Sequence, residues 1–265
     1  MTRPPSSYLV CASQRSGSTL LVESLRATGI AGEPEEYFQY IPETGRSPQP
    51  RDWFASVHDE TILKLLAPRV SGTPDSRTSE QWRDDLLREG RTPNGVWGGK
   101  LMWNQTPLLL ARAAALPNPS GTDLRSAIRD VVGEVTFIWV RRSDIVKQAV
   151  SMWRAVQTQV WRDDGNDGLD DSAQYHAGGI AYLAEMLRGQ DDSWEAWFSS
   201  EGIEPIEVSF EELTASPQIT TASILERLGL DPSLSPPPPL KRQSNSRSAE
   251  WVRQFHADVV EGLHV

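Results

Sequence analysis

The loop Ser13-Gln-Arg-Ser-Gly-Ser-Thr19 has residue types suited to binding a phosphate-like anion. It follows the apolar run at residues 8–12 and precedes a segment with a helical pattern, so backbone N–H groups and the positive end of a helix converge there. Gly17 lets the backbone approach a ligand closely, and Arg15 supplies a cation that can bind an anion through two parallel hydrogen bonds. The pattern predicts an anion cradle; a structural turn with a surface arginine is the alternative.

The same loop departs from the Walker A pattern, in which a glycine is followed by four residues and then by Gly-Lys-Ser/Thr. Ala12 stands at the first glycine and Ser18 at the lysine. The charge that grips the β- and γ-phosphates of a nucleoside triphosphate is therefore missing. We expect this loop to bind its ligand without ATP and magnesium.

Two basic segments lie in a chain of 265 residues whose formal net charge is −10. Such an acidic balance disfavours broad binding of nucleic acid, which needs an excess of cations. The basic residues are Arg141, Arg142, Lys147 and Arg154 in one segment, and Lys241, Arg242, Arg247 and Arg253 in the other. Taken alone, each segment is equally well explained as the solvated face of a helix. Their position relative to the loop at residues 13–19 favours a role in binding.

Strands and helices alternate in the pattern that must position these residues. Strands are predicted at residues 8–12, 95–103, 135–140 and 206–210, and helices at 19–28, 76–91, 143–161, 173–200 and 217–228. Ser143 is the predicted cap of the third helix. Residues 33–60 are rich in Pro, Gly and Glu and predict a long ordered loop near a site. The order predicts an α/β fold in one domain over residues 1–265, a P-loop-like three-layer sandwich with a mostly parallel central sheet flanked by helices.

Cysteine, histidine and hydropathy patterns exclude several classes of protein. Cys11 is the single cysteine, and the four histidines do not have the spacing of zinc ligands. The N-terminal residues do not resemble a secretory leader, and no apolar stretch approaches the length of a membrane span. The sequence therefore predicts a cytoplasmic protein with no metal and no stable membrane insertion.

Four segments together resemble the sulfotransferases. The loop at residues 13–19 resembles their 5'-phosphosulfate-binding loop, usually Pro-Lys-Ser-Gly-Thr-Thr, with Arg15 at the lysine. Residues 140–151 resemble the strand-to-helix motif that binds a 3'-phosphate, and Phe210-Glu-Glu-Leu213 resembles the Tyr-Glu-Asp-Leu motif, whose aromatic residue lies near the adenine. Residues 243–255 resemble the C-terminal segment that closes over the cofactor. The segments occur in the family's order and span nearly the whole chain.

The resemblance implies 3'-phosphoadenylyl sulfate as the donor. The residues it assigns to the donor are Arg15, Ser16, Gly17, Ser18, Thr19, Leu20, Arg141, Arg142, Ser151, Phe210 and Trp251. The family's arginine usually precedes the serine by fewer residues than Arg141 or Arg142 precedes Ser151 here. Which of the two arginines binds the 3'-phosphate is therefore left open.

The catalytic base of many sulfotransferases, a histidine, is replaced by Met102 in the stretch Lys100-Leu-Met-Trp103. Methionine cannot accept a proton, so the base must come from elsewhere. The carboxylates Glu33, Glu35 and Glu36 follow the first helix and are expected to emerge beside the anion cradle. An acidic surface loop is the alternative explanation of this run.

The Glu-Tyr-Phe run together with Gln-Ala-Val-Ser is similar to the mycobacterial trehalose 2-sulfotransferase family, in which a glutamate serves as the base. The resemblance implies that Glu36 is this base and acts with Arg15, that the acceptor is the 2-hydroxyl of trehalose, and that the product serves sulfated glycolipid synthesis. The implied sugar contacts are Gln14, Glu33, Glu36, Tyr37, Gln39 and Trp53. It also implies a homodimer. Another sugar or a glycolipid is the alternative acceptor, and core packing is the alternative role of Trp53.

Two further functions compete with sulfuryl transfer. A P-loop kinase for a small molecule predicts an Asp pair for magnesium after a central strand, but Arg141 and Arg142 stand at that place. A nucleotide-binding interaction module predicts binding of the nucleotide without turnover.

Overall fold

Four parallel strands form the centre of the protein. The computed structural model describes residues 7–39, 49–69, 75–161, 172–237 and 246–262. The strands are β1 (Tyr8–Ala12), β2 (Gly98–Met102), β3 (Thr136–Arg141) and β4 (Ile206–Ser209), in the order β2-β1-β3-β4. Every pair in this sheet is parallel, as the alternation of strands and helices predicted.

The register of the sheet brings the carboxyl ends of all four strands to one edge. Ala12 is opposite both Met102 and Val140, and Arg141 is opposite Ser209. The chain runs from β1 to its neighbour β2 on one side and from β3 to its neighbour β4 on the other, so the connections diverge between the ends of β1 and β3. In open α/β sheets, ligands bind in the crevice at such a switch point.

Helices follow each strand and cover the sheet. They are α1 (Ser18–Arg26), α2 (Pro50–Trp53), α3 (Glu60–Leu63), α4 (Ser79–Glu89), α5 (Thr106–Ala114), α6 (Leu124–Val132), α7 (Ile145–Thr158), α8 (Ala177–Ser200), α9 (Phe210–Ala215), α10 (Pro217–Arg227) and α11 (Ser246–Val260). Short 3-10 helices occupy Trp103–Gln105 and Pro232–Leu234. None of the helices in the described ranges is long and apolar enough to cross a membrane.

Alternate side chains of β1 pack into the two faces of the sheet. Tyr8, Val10 and Ala12 join a buried cluster with α1 and α10, whereas Leu9 and Cys11 join another with α4, α5, α6 and the end of α8. All five residues of the strand are fully buried. The result is the three-layer arrangement expected from the sequence. A third cluster joins α7, α8 and α11 to the short helices α2 and α3.

The start of α7 differs from the expectation by one residue. Asp144, not Ser143, caps the helix, because its carboxylate accepts a hydrogen bond from the backbone N–H of Lys147 at 2.9 Å. Ser143 instead donates its hydroxyl to Glu211 at 2.8 Å. The helix ends at Thr158, short of Trp161.

Other boundaries also differ. The predicted loop at 33–60 contains α2 and the first residue of α3, and the predicted strand at 95–103 is shortened to β2 because Gly95 turns the chain with a φ of 86°. Helices α5 and α6 were not predicted. The basic residues Lys241 and Arg242 lie outside the described residues.

Candidate active site

The loop between β1 and α1, residues 13–17, has the shape of an anion cradle. Gly17 precedes α1 with a φ of 96°, and Arg15 also has a left-handed backbone, with a φ of 62°. A Cβ on Gly17 would lie 2.6 Å from the Phe210 ring, so a glycine is required there. The hydroxyl of Ser16 is buried and has no hydrogen-bond partner. A buried polar atom of this kind is one that a bound anion would satisfy.

Side chains from α7 and from the end of β3 hold the backbone of this loop. The amide of Gln148 donates to the Ser13 hydroxyl at 2.9 Å and to the Gln14 carbonyl at 2.7 Å. The guanidinium of Arg142 donates to the Arg15 carbonyl at 3.3 Å. The loop is therefore fixed by parts of the chain far from it in sequence.

Arg15 connects the loop to α7 and to an aromatic pair. Its Nε donates to the Ser151 hydroxyl at 2.9 Å, and its Nη1 donates to the Trp161 carbonyl at 2.6 Å. The Trp161 ring meets the Trp53 ring edge-on, with centroids 5.7 Å apart. Arg15 thus contacts the predicted site residue Ser151 directly, and it is connected to the predicted site residue Trp53 through Trp161.

The two consecutive arginines at the end of β3 point in different directions, because successive side chains of an extended strand alternate. Arg142 lies over the Phe210 ring, with its Cζ 4.2 Å from the centroid, beside the loop. Arg141 lies over the Trp139 ring at 4.1 Å and approaches Glu195 of α8 at 3.7 Å. The structure therefore brings Arg142 and Phe210 together at the cradle and places Arg141 on another side.

Glu36 lies beside the start of α1 in a group of polar side chains. Its Oε1 is 2.7 Å from Nζ of Lys100, and its Oε2 accepts a hydrogen bond from the Gln105 amide at 3.0 Å. Lys100, with 1% of its side chain exposed, also donates to the Thr19 hydroxyl at 3.3 Å. One buried ammonium therefore connects the carboxylate to the helix that closes the anion cradle.

The segment that carries Glu36 follows the edge of β2. The backbone N–H of Lys100 donates to the Glu35 carbonyl at 2.9 Å. Gly32, with a φ of 74°, approaches so closely that a Cβ there would lie 2.5 Å from the Gly98 nitrogen. This approach places Glu36 at the carboxyl edge of the sheet.

The other two carboxylates of the acidic run point toward α1. Glu35 pairs with Arg26 at 2.6 Å, and Glu33 lies 3.4 Å from the same guanidinium. Glu36 therefore has a different ionic partner from Glu33 and Glu35, whereas their spacing in the sequence does not distinguish the three residues.

Several predicted residues lie apart from this group. The Tyr37 hydroxyl donates to the Glu33 carbonyl at 2.5 Å, and its ring packs 6.2 Å from that of Trp97. Trp251 is 5% exposed in the cluster formed by α7, α8 and α11. Gln39 is partly buried. Leu20 packs its side chain on a buried cluster, so only its backbone faces the cradle.

Gln14 and Ser18 lie at the cradle itself. Both are buried, at 6% and 2% exposure. The Gln14 amide donates to Asn104 of the 3-10 helix after β2, next to the Gln105 that contacts Glu36. The Gln14 side chain therefore extends from the loop toward the 3-10 helix that contacts Glu36.

Lys100, Gln105 and Trp161 were missed by the sequence reasoning. Lys100 carried a signal, since it opens the stretch Lys100-Leu-Met-Trp103 in which Met102 replaces the histidine of many sulfotransferases. Met102, which replaces that histidine, is buried at 5% exposure in the core. Nothing in the sequence pointed to Gln105 or Trp161.

The arrangement combines three cations with the carboxylate of Glu36. Arg15, Lys100 and Arg142 surround the N-terminus of α1, and Glu36 lies at its side. Such a site can bind a group with multiple negative charges and accept a proton from a neighbouring hydroxyl. The fold and the site define an α/β enzyme that transfers a group held in an anion cradle.

Comparison with known proteins identifies the family. The model of the Stf0 sulphotransferase family matches residues 7–258. The trehalose 2-sulfotransferase of Mycobacterium tuberculosis (strain ATCC 35801 / TMC 107 / Erdman) is 58% identical over 259 residues, which is 97% of each chain. That of Mycolicibacterium smegmatis is 56% identical with the same coverage. The chain therefore belongs to the Stf0 sulphotransferase family and is a sulfotransferase.

Solved structures give looser matches. A sulfotransferase from Alicyclobacillus acidocaldarius matches with a TM-score of 0.47 and 14% identity, over 98% of this chain and 94% of that one. The sulfotransferase domain of the Synechococcus PCC 7002 olefin synthase matches with a TM-score of 0.39 and 14% identity, over 97% and 96%.

Proposed function

We propose that this sulfotransferase transfers a sulfuryl group from 3'-phosphoadenylyl sulfate to the 2-hydroxyl of trehalose. The observation that carries the proposal is the position of Glu36, whose partner Lys100 also binds Thr19 at the start of α1. The side chain of Lys100 thus contacts both the proposed base and the helix that begins at the anion cradle. The names of the two mycobacterial relatives support trehalose as the acceptor.

The residues of the cradle fit the donor. Arg15 and the backbone N–H groups of residues 16–20 would hold the 5'-phosphosulfate, where the unpartnered Ser16 hydroxyl supplies a further donor. Arg142 and Ser151 would hold the 3'-phosphate, because both contact Arg15. Phe210 would pack against the adenine. When bound, the donor supplies the sulfuryl group.

The chemistry assigned to the chain is proton removal and charge stabilisation. Glu36 accepts the proton of the acceptor hydroxyl while that oxygen bonds to sulfur and the bond from sulfur to the bridging phosphate oxygen breaks. Lys100 orients the carboxylate through the contact of 2.7 Å between its Nζ and Glu36 Oε1. Arg15 and the loop amides stabilise the negative charge that develops on the departing oxygen, which leaves as part of adenosine 3',5'-bisphosphate.

Acceptor binding is assigned first to Gln14 and Trp53. Gln14 lies between the cradle and the group around Glu36, and Trp53 reaches Arg15 through Trp161. Glu33, Tyr37 and Gln39 stay predictions as sugar contacts. Arg141 and Trp251 likewise stay predictions as donor contacts, since their described neighbours lie elsewhere.

Incubation of the purified chain with sulfur-labelled donor and an equal concentration of trehalose, maltose or glucose tests the proposal. We expect labelled product from trehalose alone, with the sulfate on a 2-hydroxyl by NMR. Equal rates with all three sugars would contradict the assigned acceptor. A thermal shift with ATP and magnesium but none with adenosine 3',5'-bisphosphate would support the kinase alternative instead.

The homodimer and the cytoplasmic location also stay predictions. Light scattering after size exclusion gives the mass in solution, which is twice that of the 29.5 kDa chain if the protein is a dimer. Cell fractionation with an antibody against the chain tests the location.

A further inference from the structure

The short 3-10 helix after β2, Trp103–Gln105, is held on two sides. The Trp103 ring meets the ring of Trp194 on α8 edge-on, with centroids 4.9 Å apart. The Trp103 carbonyl accepts a hydrogen bond from the hydroxyl of Thr106, the first residue of α5, at 2.9 Å. The Gln105 side chain therefore starts from a backbone that is fixed between the edge of the sheet and two helices.

The amide of Gln105 is held in one orientation. Gln105 is 1% exposed, and its Oε1 accepts a hydrogen bond from the backbone N–H of Met102 at 3.2 Å. A backbone N–H can only donate, so the amide oxygen must face Met102 and the amide N–H₂ group must face the other way. There the Nε2 donates to the Oε2 of Glu36 at 3.0 Å. A group that is fixed at its oxygen end thus presents a donor to the proposed base.

The same carboxylate has Lys100 on its other oxygen. The Nζ of Lys100 is 2.7 Å from the Oε1 of Glu36. The last torsion of a glutamate side chain is broad, so one contact on Oε1 restrains the plane of the carboxylate poorly. A second donor on Oε2 stops the rotation. Gln105 therefore supplies a restraint that Lys100 alone does not.

The type of residue at position 105 matters for this contact. Glutamate has the same shape, but it would place a second carboxylate at hydrogen-bond distance from Glu36, which disfavours two ionised groups. Methionine has a similar length but cannot donate a hydrogen bond to the carboxylate. Met102, whose N–H orients the amide, stands where many sulfotransferases have their histidine. The backbone of that position thus serves the glutamate that is proposed as the base.

We propose that Gln105 is a positioning residue that holds the carboxylate plane of Glu36 so that the carboxylate faces the acceptor hydroxyl. The inference rests on the proposed function for the role of Glu36 as the base. Donor binding does not depend on it, because Lys100 reaches the Thr19 hydroxyl at 3.3 Å through a separate contact. Loss of the Gln105 amide should therefore lower kcat and leave donor affinity as it is.

The test compares Gln105→Met and Gln105→Glu with the matched control Gln157→Met. Gln157 on α7 has the same pattern of bonds, since its Oε1 accepts from the backbone N–H of Gln174 at 2.9 Å and its Nε2 donates to the Gln174 carbonyl at 3.0 Å. In single turnover with labelled donor and saturating trehalose, both variants at position 105 should react roughly tenfold more slowly, the effect of losing a hydrogen bond to a charged group. Titrated binding of adenosine 3',5'-bisphosphate should match the wild type. The control should keep both its rate and its binding.

A double variant separates positioning from general damage to the site. In a Glu36→Gln background, Gln105→Met should lower the residual rate no further, since both changes act through one group. A further loss of about tenfold in that background, a wild-type rate in both variants at position 105, or weaker bisphosphate binding by Gln105→Glu would each overturn the positioning role. Gln105→Glu keeps an acceptor for the Met102 N–H, so it serves where the methionine variant does not fold. Failure of both to fold would show a structural role instead.

Crystal structures give a readout that needs no acceptor. In Gln105→Met the Glu36 carboxylate should leave its wild-type plane or occupy two conformers while it keeps its contact with Lys100; an unchanged carboxylate would contradict the proposal. If Glu36→Gln alone keeps the wild-type rate, the proposed base is wrong and this inference falls with it. If the wild-type protein does not sulfate trehalose, the proposed acceptor is wrong, and the crystal structures decide the role of Gln105.

Discussion

Replacing Glu36 with glutamine tests the proposed base most directly, because the two side chains have nearly the same shape. The Oε1 of Glu36 is 2.7 Å from Lys100 Nζ, and its Oε2 accepts a hydrogen bond from Gln105 at 3.0 Å. Glutamine keeps one carbonyl oxygen for Lys100 but turns an N–H₂ group toward the Gln105 amide. The variant therefore loses the ion pair with Lys100, the hydrogen bond from Gln105 and the basicity of the carboxylate.

The size of the effect follows from these losses. Removal of a general base lowers kcat by about 100-fold or more. The substitution also leaves Lys100 as a buried cation without its counter-ion, and in a dry interior this would cost several kcal/mol. Because 24% of the Glu36 side chain is exposed, we expect a smaller loss of about 1–3 kcal/mol in the free energy of unfolding. Donor affinity should stay within about threefold of wild type, a ratio worth less than one hydrogen bond, because Lys100 keeps its bond to Thr19.

The assay is a single-turnover measurement with saturating trehalose and labelled donor, beside urea unfolding of each protein. Glu35→Gln is the matched control, one residue away, since Glu35 pairs with Arg26 on the partly exposed side of α1. Surface pairs contribute roughly 0–1 kcal/mol, so this variant should keep most of its rate and stability. A Glu36→Gln enzyme with more than a third of the wild-type rate, or an equal loss in Glu35→Gln, would refute the reasoning.

Three further predictions concern the loop at residues 13–17 and the two arginines at the end of β3. Arg15→Ala should lower kcat/KM by about 30-fold or more, which corresponds to about 2 kcal/mol, because the interaction of Arg15 strengthens as charge develops on the leaving oxygen. Steady-state kinetics measures this loss. A change in KM alone would show that Arg15 binds the ground state and the transition state equally. Arg142→Ala should weaken titrated binding of the bisphosphate at least tenfold, the scale of one charged hydrogen bond, whereas Arg141→Ala should change it little; the reverse order would move the 3'-phosphate to Arg141. Gly17→Ala should lower the free energy of unfolding by about 1–2 kcal/mol or more, because its φ is 96° and its Cβ would meet Phe210 at 2.6 Å; denaturant unfolding at wild-type stability would contradict this.

The parts of the site that follow strands directly were predictable from the sequence. A fully apolar run such as Tyr8–Ala12 identifies a buried strand, and the residues after it must lie at the carboxyl edge of a parallel sheet. That reasoning placed Arg15 and Gly17 at this edge, and the resemblance to the sulfotransferases added Phe210; the structure has the three residues together. The α/β fold followed from the same alternation.

The group around Glu36 was not predictable in the same way. The contact with Lys100 depends on the segment at residues 32–36 lying along β2, a tertiary arrangement that Gly32 and Gly98 permit by their lack of side chains. Trp251 shows the opposite difficulty. An aromatic residue on an amphipathic helix has the same pattern whether it faces a ligand or a core, so its burial at 5% exposure was not predictable, and its contact with the donor stays a prediction.

Helices α5 and α6 were missed although α6 has a readable pattern. Its buried residues Leu124, Ala127, Ile128 and Val131 recur at helical spacing, and Asp123 caps it. The capping residue of α7 was off by one because Ser143 and Asp144 are both good caps, and only the hydrogen bond to Lys147 distinguishes them.

The strand order β2-β1-β3-β4 places the proposed donor-binding residues and the proposed base on different strands of the sheet. The residues proposed to hold the nucleotide follow β1, β3 and β4, whereas the proposed base and its partners belong to β2 and to the segment along its outer edge. A segment at the edge of the sheet can change in length and composition without disturbing the pairing of the central strands β1 and β3. Acceptor choice in this architecture can therefore change while the donor site is kept, and grafting residues 32–39 together with Trp53 from a relative with another acceptor, with Glu36 retained, is the natural route to a sulfotransferase with a new specificity.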